Sequence, residues 1–309
     1  METQKTVQKN GQINIVLKNK NVTNVSDKKH EKYQSKNNPF TNIEEQFSSF
    51  VGLNKLKQTV KEIYATHIIN EKRVKMGLSS TKQVLHMLFK GNPGTGKTTV
   101  ARELAKIYFK MNVLSKGHFI EAERADLVGE YIGQTAQKTR ALIQKSMGGI
   151  LFIDEAYSLA RGGEKDFGKE AIDTLVKHME DKQNDFVLIL AGYPYEMERF
   201  LDLNPGLKSR FPFIIDFGDY SVDELIKIAR QMAREREYQL TKGAEWKLKN
   251  YLYKQRQNTV QHFSNARYVR NMIEYAIRMH AVRVLHKQDC TLDDLIYLTE
   301  EDLNTKKIY

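Results

Sequence analysis

Gly91-Asn92-Pro93-Gly94-Thr95-Gly96-Lys97-Thr98 decides how this chain is read. It fits the pattern Gly-x-x-x-x-Gly-Lys-Ser/Thr. Glycines in such a loop let the backbone turn tightly with its amides pointing inward at an anion, where side chains would obstruct them. Lys97 is placed to reach the β- and γ-phosphates of a nucleotide, and the Thr98 hydroxyl to ligate magnesium. Asn92, Pro93, Thr95 and Thr99 complete the expected nucleotide contacts. The flanks agree. Val84-Leu85-His86-Met87-Leu88-Phe89 is a strand-like apolar run, and Val100, Leu104 and Ile107 recur at helical spacing. The loop therefore joins a strand to a helix whose positive N-terminal end adds to the attraction for phosphate.

A second run, Ile150-Leu151-Phe152-Ile153-Asp154-Glu155, is an apolar strand that ends in adjacent carboxylates. Asp154 is expected to hold the magnesium shell, and Glu155 to orient and polarise an attacking water. The alternative is a strand end whose carboxylates only cap a turn. Taken together, the loop and this strand predict ATP and Mg2+ as ligands and hydrolysis as the reaction.

The 309 residues allow one large or two modest domains. A single cysteine, Cys290, rules out an intramolecular disulfide and suits a reducing compartment. The first residues lack an apolar signal segment, and no run is apolar enough to cross a bilayer, so a cytoplasmic location is expected. The histidines show no ligand spacing. The net charge is +11, with an excess of three basic residues over 1–46, five over 47–218 and three over 219–309. A basic stripe would be the footprint of nucleic-acid binding. Charge spread this evenly argues against such a partner.

Three regions follow one another. Residues 1–45 are polar, with an isolated apolar run at Ile13-Asn14-Ile15-Val16-Leu17, and are expected to be a flexible arm. Residues 46–220 alternate strands (84–90, 118–122, 149–154, 186–191, 213–217) with helices (53–76, 98–111, 135–147, 168–181, 195–202). This α/β alternation predicts a five-stranded parallel sheet between helices. Residues 221–309 are expected to be all-helical, with helices at 222–236, 242–256, 265–286 and 291–298. The last begins at Thr291-Leu292-Asp293-Asp294, an N-terminal cap pattern.

A phosphate loop alone does not choose among nucleotide-using families. Asn204-Pro205-Gly206-Leu207 leads to Ser209-Arg210-Phe211 just before the fifth strand, and Asn265-Ala266-Arg267-Tyr268-Val269-Arg270-Asn271 opens a C-terminal helix. With a helical lid after the α/β body, these resemble the AAA+ ATPases, a branch of the P-loop NTPases. Phe50-Val51-Gly52-Leu53 is similar to that family's segment beside the adenine, which adds Val51 and Gly52 to the nucleotide contacts. The stretch from Glu121 to Ala136, Asp154-Glu155-Ala156-Tyr157-Ser158-Leu159 and Leu190-Ala191-Gly192-Tyr193 narrow the resemblance to the CbxX/CfqX branch. Within it, Gly11 to Ile15, Met179-Glu180-Asp181 and Glu235 to Leu240 resemble a member from endospore-forming bacteria, which implies a place in sporulation.

The resemblance implies further roles. Arg210 would be an arginine finger reaching the nucleotide of the next subunit in a homo-oligomeric ring, a hexamer; the alternative is an ordinary ion pair. Arg267 would be a second sensor of the γ-phosphate, or else a helix ion pair. Tyr131-Ile132-Gly133 would be a pore loop gripping a protein client, or else an aromatic packed on the neighbouring helix. Arg161 to Lys165 would be a second pore-facing loop or a plain turn. At the end of the fourth strand the family usually has Asn or Thr, whereas this chain has Ala191-Gly192-Tyr193-Pro194, leaving Tyr193 or another residue to place the water. The activity implied is ATP-driven remodelling of a protein client. Two other readings stand beside it: a nucleotide-gated scaffold with little turnover, against which Glu155 and Arg210 speak, and a nucleic-acid motor in which Tyr131 stacks on bases.

Overall fold

A strand covered on both faces needs an unbroken apolar run, and the runs around Leu151 and Leu188 have that form. A computed structural model describes residues 40–47, 50–131, 133–162, 166–258, 263–287 and 289–303. Its strands are β1 (Met87–Gly91), β2 (Phe119–Ala122), β3 (Ile150–Ile153), β4 (Val187–Gly192) and β5 (Phe213–Phe217). They form one parallel sheet in the order β2-β3-β4-β1-β5. Leu88 lies beside both Leu190 of β4 and Ile214 of β5, and Ile153 beside Leu190. Every residue of β3 and β4 is buried.

The helices are α1 (Thr41–Gln46), α2 (Asn54–Lys75), α3 (Lys97–Lys110), α4 (Arg124–Leu127), α5 (Gln134–Ser146), α6 (Gly168–Asp181), α7 (Pro194–Leu203) and α8 (Pro205–Lys208). Leu88, Leu151, Ile153, Leu188 and Leu190 of the sheet pack with Ile143 of α5, Leu175 of α6 and Phe200 of α7 in one core. Four helices follow: α9 (Val222–Arg234), α10 (Lys242–Asn258), α11 (Asn265–Leu285) and α12 (Leu292–Ile296). They enclose a second core of Leu225, Ala229, Leu248, Leu252, Val269, Met272 and Ile273. Thr291 and Asp294 close a reciprocal capping box at the start of α12, as the sequence pattern predicts, and Ser221 and Glu224 close another at α9.

The structure departs from expectation in three places. The C-terminal region is not purely helical: α12 stops at Ile296, and β7 (Tyr297–Leu298) pairs in parallel with β6 (Gln239–Leu240). Two-residue strands this far apart in sequence leave no periodic signal. β1 begins at Met87 rather than at residue 84, because at the preceding position the imidazole Nδ1 of His86 accepts the Leu188 N–H at 3.0 Å, where a strand neighbour would offer a carbonyl. The compact unit begins at Asn42, with Ile43 and Phe47 buried, a little ahead of the expected boundary. Residues 1–39, including the run Ile13 to Leu17, lie outside the described residues.

Burial holds His86 well below the ordinary imidazole value, at about 4, an effect only partly offset by the Met179 backbone. The unfolded chain therefore takes up a proton near pH 6.5 that the folded chain refuses until about pH 4, and stability falls as pH drops through that window. Denaturant midpoints should show a loss of about 1.5 kcal/mol between pH 6.5 and pH 5 from this group. His86→Gln, whose side-chain oxygen accepts the same amide, should lack this component. An unchanged acid slope in the variant would contradict the assignment.

Candidate active site

The phosphate loop leaves β1 and enters α3 through glycines in the left-handed region, Gly94 at φ +70° and Gly96 at φ +92°. Lys97, the first residue of α3, is 8% exposed. Its Nζ donates to the carbonyls of Gly91 at 2.7 Å and Asn92 at 3.1 Å. Burial lowers its pKa; Asp154 and Glu155 oppose that shift, and Arg267 adds to it. The lysine is thus a desolvated cation held by neutral carbonyls, poised to exchange them for stronger charge-assisted bonds to phosphate.

β3 delivers the carboxylates. Asp154 Oδ1 accepts the Glu155 N–H at 2.9 Å, and Glu155 sits at φ +45°, a costly conformation for a residue with a side chain. A 3-10 helix, Ala156–Ala160, starts there, with the Ser158 N–H donating to the Glu155 carbonyl at 2.7 Å. The rings of Tyr157 and Tyr193 lie 5.8 Å apart beside this turn. Both phenols are raised, chiefly by burial and then by the charge of Glu155. Tyr193 comes from the end of β4, where the sequence lacks the usual amide or hydroxyl.

The C-terminal helices close the cleft from above. The Gly94 carbonyl accepts the Ala266 N–H at 3.1 Å, and a Cβ on Gly94 would lie 2.1 Å from the Ser264 carbonyl oxygen. Only glycine fits this approach. Asn265 is fully buried at φ +47°. Its Nδ2 donates to Asp219 Oδ1 at 2.8 Å and to the Pro93 carbonyl at 3.4 Å, while its Oδ1 accepts the Tyr220 N–H at 3.0 Å. Asn92 Nδ2 reaches the same Asp219 at 3.0 Å, and the Tyr220 hydroxyl donates to the Thr95 carbonyl at 2.9 Å.

The resulting cleft of about 510 Å³ brings together Val51, the loop from Pro93 to Thr99, Asp154, Glu155 and Arg267. Gly52, Gly91 and Asn92 do not line it: the Gly91 and Asn92 carbonyls hold Lys97, and a Cβ on Gly52 would lie 3.0 Å from Glu224. Another cavity, about 420 Å³, is lined by Leu85, Phe186 and Val187 at the opposite, N-terminal strand ends, away from these groups. Sequence reasoning missed Phe50, Tyr220 and Arg270, and also Ile228, Gln231, Met232 and Glu235 of the α9 face and its end. Their spacing of three and four residues was a readable signal of one helical face. The polar partners of Asn265 were not readable.

Arg210 is not in this cleft. Its guanidinium donates to Glu180 and to the Gly206 carbonyl. Tyr131 is 68% exposed, so it is not packed on the neighbouring helix. Gly133 caps α5 at φ +81°, and Ile132 lies outside the described residues, as do 163–165 of the expected second loop.

Residues 87–219 match the ATPase family associated with various cellular activities (AAA), and residues 221–308 match the AAA lid domain. Stage V sporulation protein K of Bacillus subtilis is 58% identical, with 99% of this chain and 98% of that protein aligned. This chain belongs to the AAA ATPase family. Within it the chain falls in the CbxX/CfxQ branch. Protein CbbX of Cereibacter sphaeroides is 42% identical over 86% of this chain and 87% of its own length. A chloroplastic ribulose bisphosphate carboxylase/oxygenase activase of Cyanidioschyzon merolae is 43% identical over 84% and 89%. A mutant RuvB of Thermotoga maritima shares the fold, with a TM-score of 0.51 at 21% identity over 80% of this chain and 69% of that one. The chain is accordingly an ATP hydrolase. Among the described residues no helix is long and apolar enough to cross a membrane.

A buried, desolvated Lys97 makes a specific demand. In Lys97→Met, thermal unfolding without nucleotide should occur at or above the parental temperature, because an apolar side chain of similar length replaces a buried charge. ATP should raise the melting temperature of the parent and leave that of the variant unmoved. A variant still stabilised by ATP would show that Lys97 does not meet the phosphates.

Proposed function

We propose that the chain assembles into a ring of like subunits, a hexamer, and uses magnesium-dependent ATP hydrolysis to pull on or remodel a protein client. The observation that carries this is a division of labour: the loop, Asp154, Glu155 and Arg267 meet in one cleft, while Arg210, paired with Glu180, and the exposed Tyr131 lie outside it. A finger outside its own cleft would serve a neighbour's nucleotide by exchanging its Glu180 partner for phosphate. The residues fit a Mg·ATP complex. Thr98 and Asp154 supply one hydroxyl and one carboxylate, the sparse set that magnesium takes when phosphates complete its shell. No cluster of three acidic, histidine or cysteine ligands competes for a metal among the described residues. Thr98 and Asp154 would hold magnesium beside the phosphates, where it would supply positive charge against the charge that develops in hydrolysis.

In this reading Lys97 grips the phosphates, Glu155 holds and polarises the attacking water, and Arg267 bears on the γ-phosphate from the lid. Tyr193 is placed beside Glu155 to share the water. Val51 and Gly52 flank the base. The chain divides into an arm that ends near residue 41, an α/β body up to 220 and a lid (221–309). Kinship to a sporulation protein supports work in the cytoplasm of a sporulating bacterium, and kinship to an activase supports a protein rather than a nucleic acid as client.

Mixing variants tests the shared site. Glu155→Gln should bind ATP and hydrolyse it at least about 100-fold more slowly, because an amide polarises water poorly. Arg210→Ala should bind ATP with near-parental affinity and lose most turnover. Adding excess Lys97→Ala subunits to Arg210→Ala should restore part of it, since mixed interfaces join an intact loop to an intact finger. Full activity of Arg210→Ala alone, or parental turnover of Glu155→Gln, would overturn this reading.

A further inference from the structure

Arg124 opens α4, the short helix between β2 and the exposed Tyr131, and its guanidinium turns back toward the nucleotide side. Nη1 donates to the Ser158 carbonyl at 2.6 Å, and Nη2 to Asp166 Oδ1 at 2.5 Å. Ser158 belongs to the 3-10 helix that begins immediately after Glu155. Asp166 is only 9% exposed at its side chain and also accepts the amides of Gly162 at 2.8 Å and Gly168 at 3.1 Å. Arg124 holds its carboxyl below the usual aspartate range, against the opposing effect of burial. At the start of α6, a Cβ on Gly168 would lie 2.0 Å from the Leu159 carbonyl oxygen and 3.0 Å from Arg124 Nη1, so these elements are in close contact.

The other side of α4 is fastened to α5. Thr139 Oγ1 donates to the Leu127 carbonyl at 3.3 Å, Lys138 Nζ to the Val128 carbonyl at 3.2 Å, and the Gly129 N–H to Thr135 Oγ1 at 2.9 Å. Residues 124–129 therefore form a braced strut. One end is bonded to the turn after Glu155, and the other runs straight into Tyr131. A guanidinium suits the joint because its rigid fork addresses a carbonyl and a carboxylate at once.

We propose that Arg124, paired with Asp166, is a positioning residue that couples the Glu155 turn to the Tyr131 loop. A change at the carboxylates on nucleotide binding shifts Ser158, and the fork carries that shift into α4 and on to Tyr131. The inference rests on the reading of Tyr131 as a loop that answers to nucleotide. An ion pair that served stability alone would lower the melting temperature when broken and leave the response of Tyr131 to nucleotide intact.

The chain's single tryptophan, Trp246, makes the test clean. In a Trp246→Phe, Tyr131→Trp background, acrylamide quenching of the introduced indole is measured with and without Mg·ATPγS. Quenching should change with nucleotide, and adding Arg124→Ala should cut that change at least about fivefold while nucleotide affinity stays within about threefold of parental. Arg124→Lys should keep about half of the change, because an ammonium lacks the fork that spans both oxygens. Asp166→Asn should reduce it as well, and should add nothing once Arg124 is Ala. If Arg124→Ala fails to fold, Arg124→Lys and Asp166→Asn still decide the matter. A full nucleotide response in these variants overturns the joint. No response in the parental background overturns the reading of Tyr131 itself, and with it any signal for the pair to carry.

Discussion

The close approach of the phosphate loop to the lid at Gly94 is the constraint on which the rest of the site depends. A backbone hydrogen bond to Ala266 and the absence of a Cβ let two separately cored bodies touch beside the cleft that holds Lys97, Asp154 and Arg267. Asn265 reinforces the contact from a strained, fully buried position, joining Pro93 to the Asp219–Tyr220 connection between β5 and α9. Buried amides of this kind are costly to leave unpaired, so the lid and the loop have a strong reason to keep one mutual arrangement when no phosphate intervenes. A ligand that displaces Lys97 from the Gly91 and Asn92 carbonyls acts on the same few residues.

The sheet supplies the other half of the geometry. With β4 between β1 and β3, the loop, Tyr193 and the Asp154–Glu155 pair emerge at neighbouring carboxyl ends, the edge where open parallel sheets hold ligands. Asp154, Glu155 and Tyr193 directly follow the ends of β3 and β4, strands that are buried throughout. Outside the cleft, Tyr131 is exposed on a loop, and the half-buried Arg210 is bonded to Glu180 and the Gly206 carbonyl.

Much of this was legible in the chain. The phosphate loop, the unbroken apolar strands and the helical spacings of α3, α9 and α11 are local patterns, and local patterns survive the passage from sequence to fold. The clear misses share one property: they depend on residues far apart in sequence. Asn265 meets Asp219 and Tyr220, Arg124 meets Asp166, and β6 meets β7 across the whole lid. His86 reads as one more member of an apolar run until its ring is seen to accept the Leu188 amide. Polar contacts between distant segments have no periodicity, and they are what tune a site whose outline the motifs already draw.

Hydrogen exchange with and without Mg·ATPγS tests the central claim, that nucleotide lies between the loop and the lid and is felt by both. The account predicts altered protection together in peptides covering 91–99, 228–235 and 264–271. Protection confined to the loop, with both lid peptides exchanging as they do without nucleotide, would contradict it.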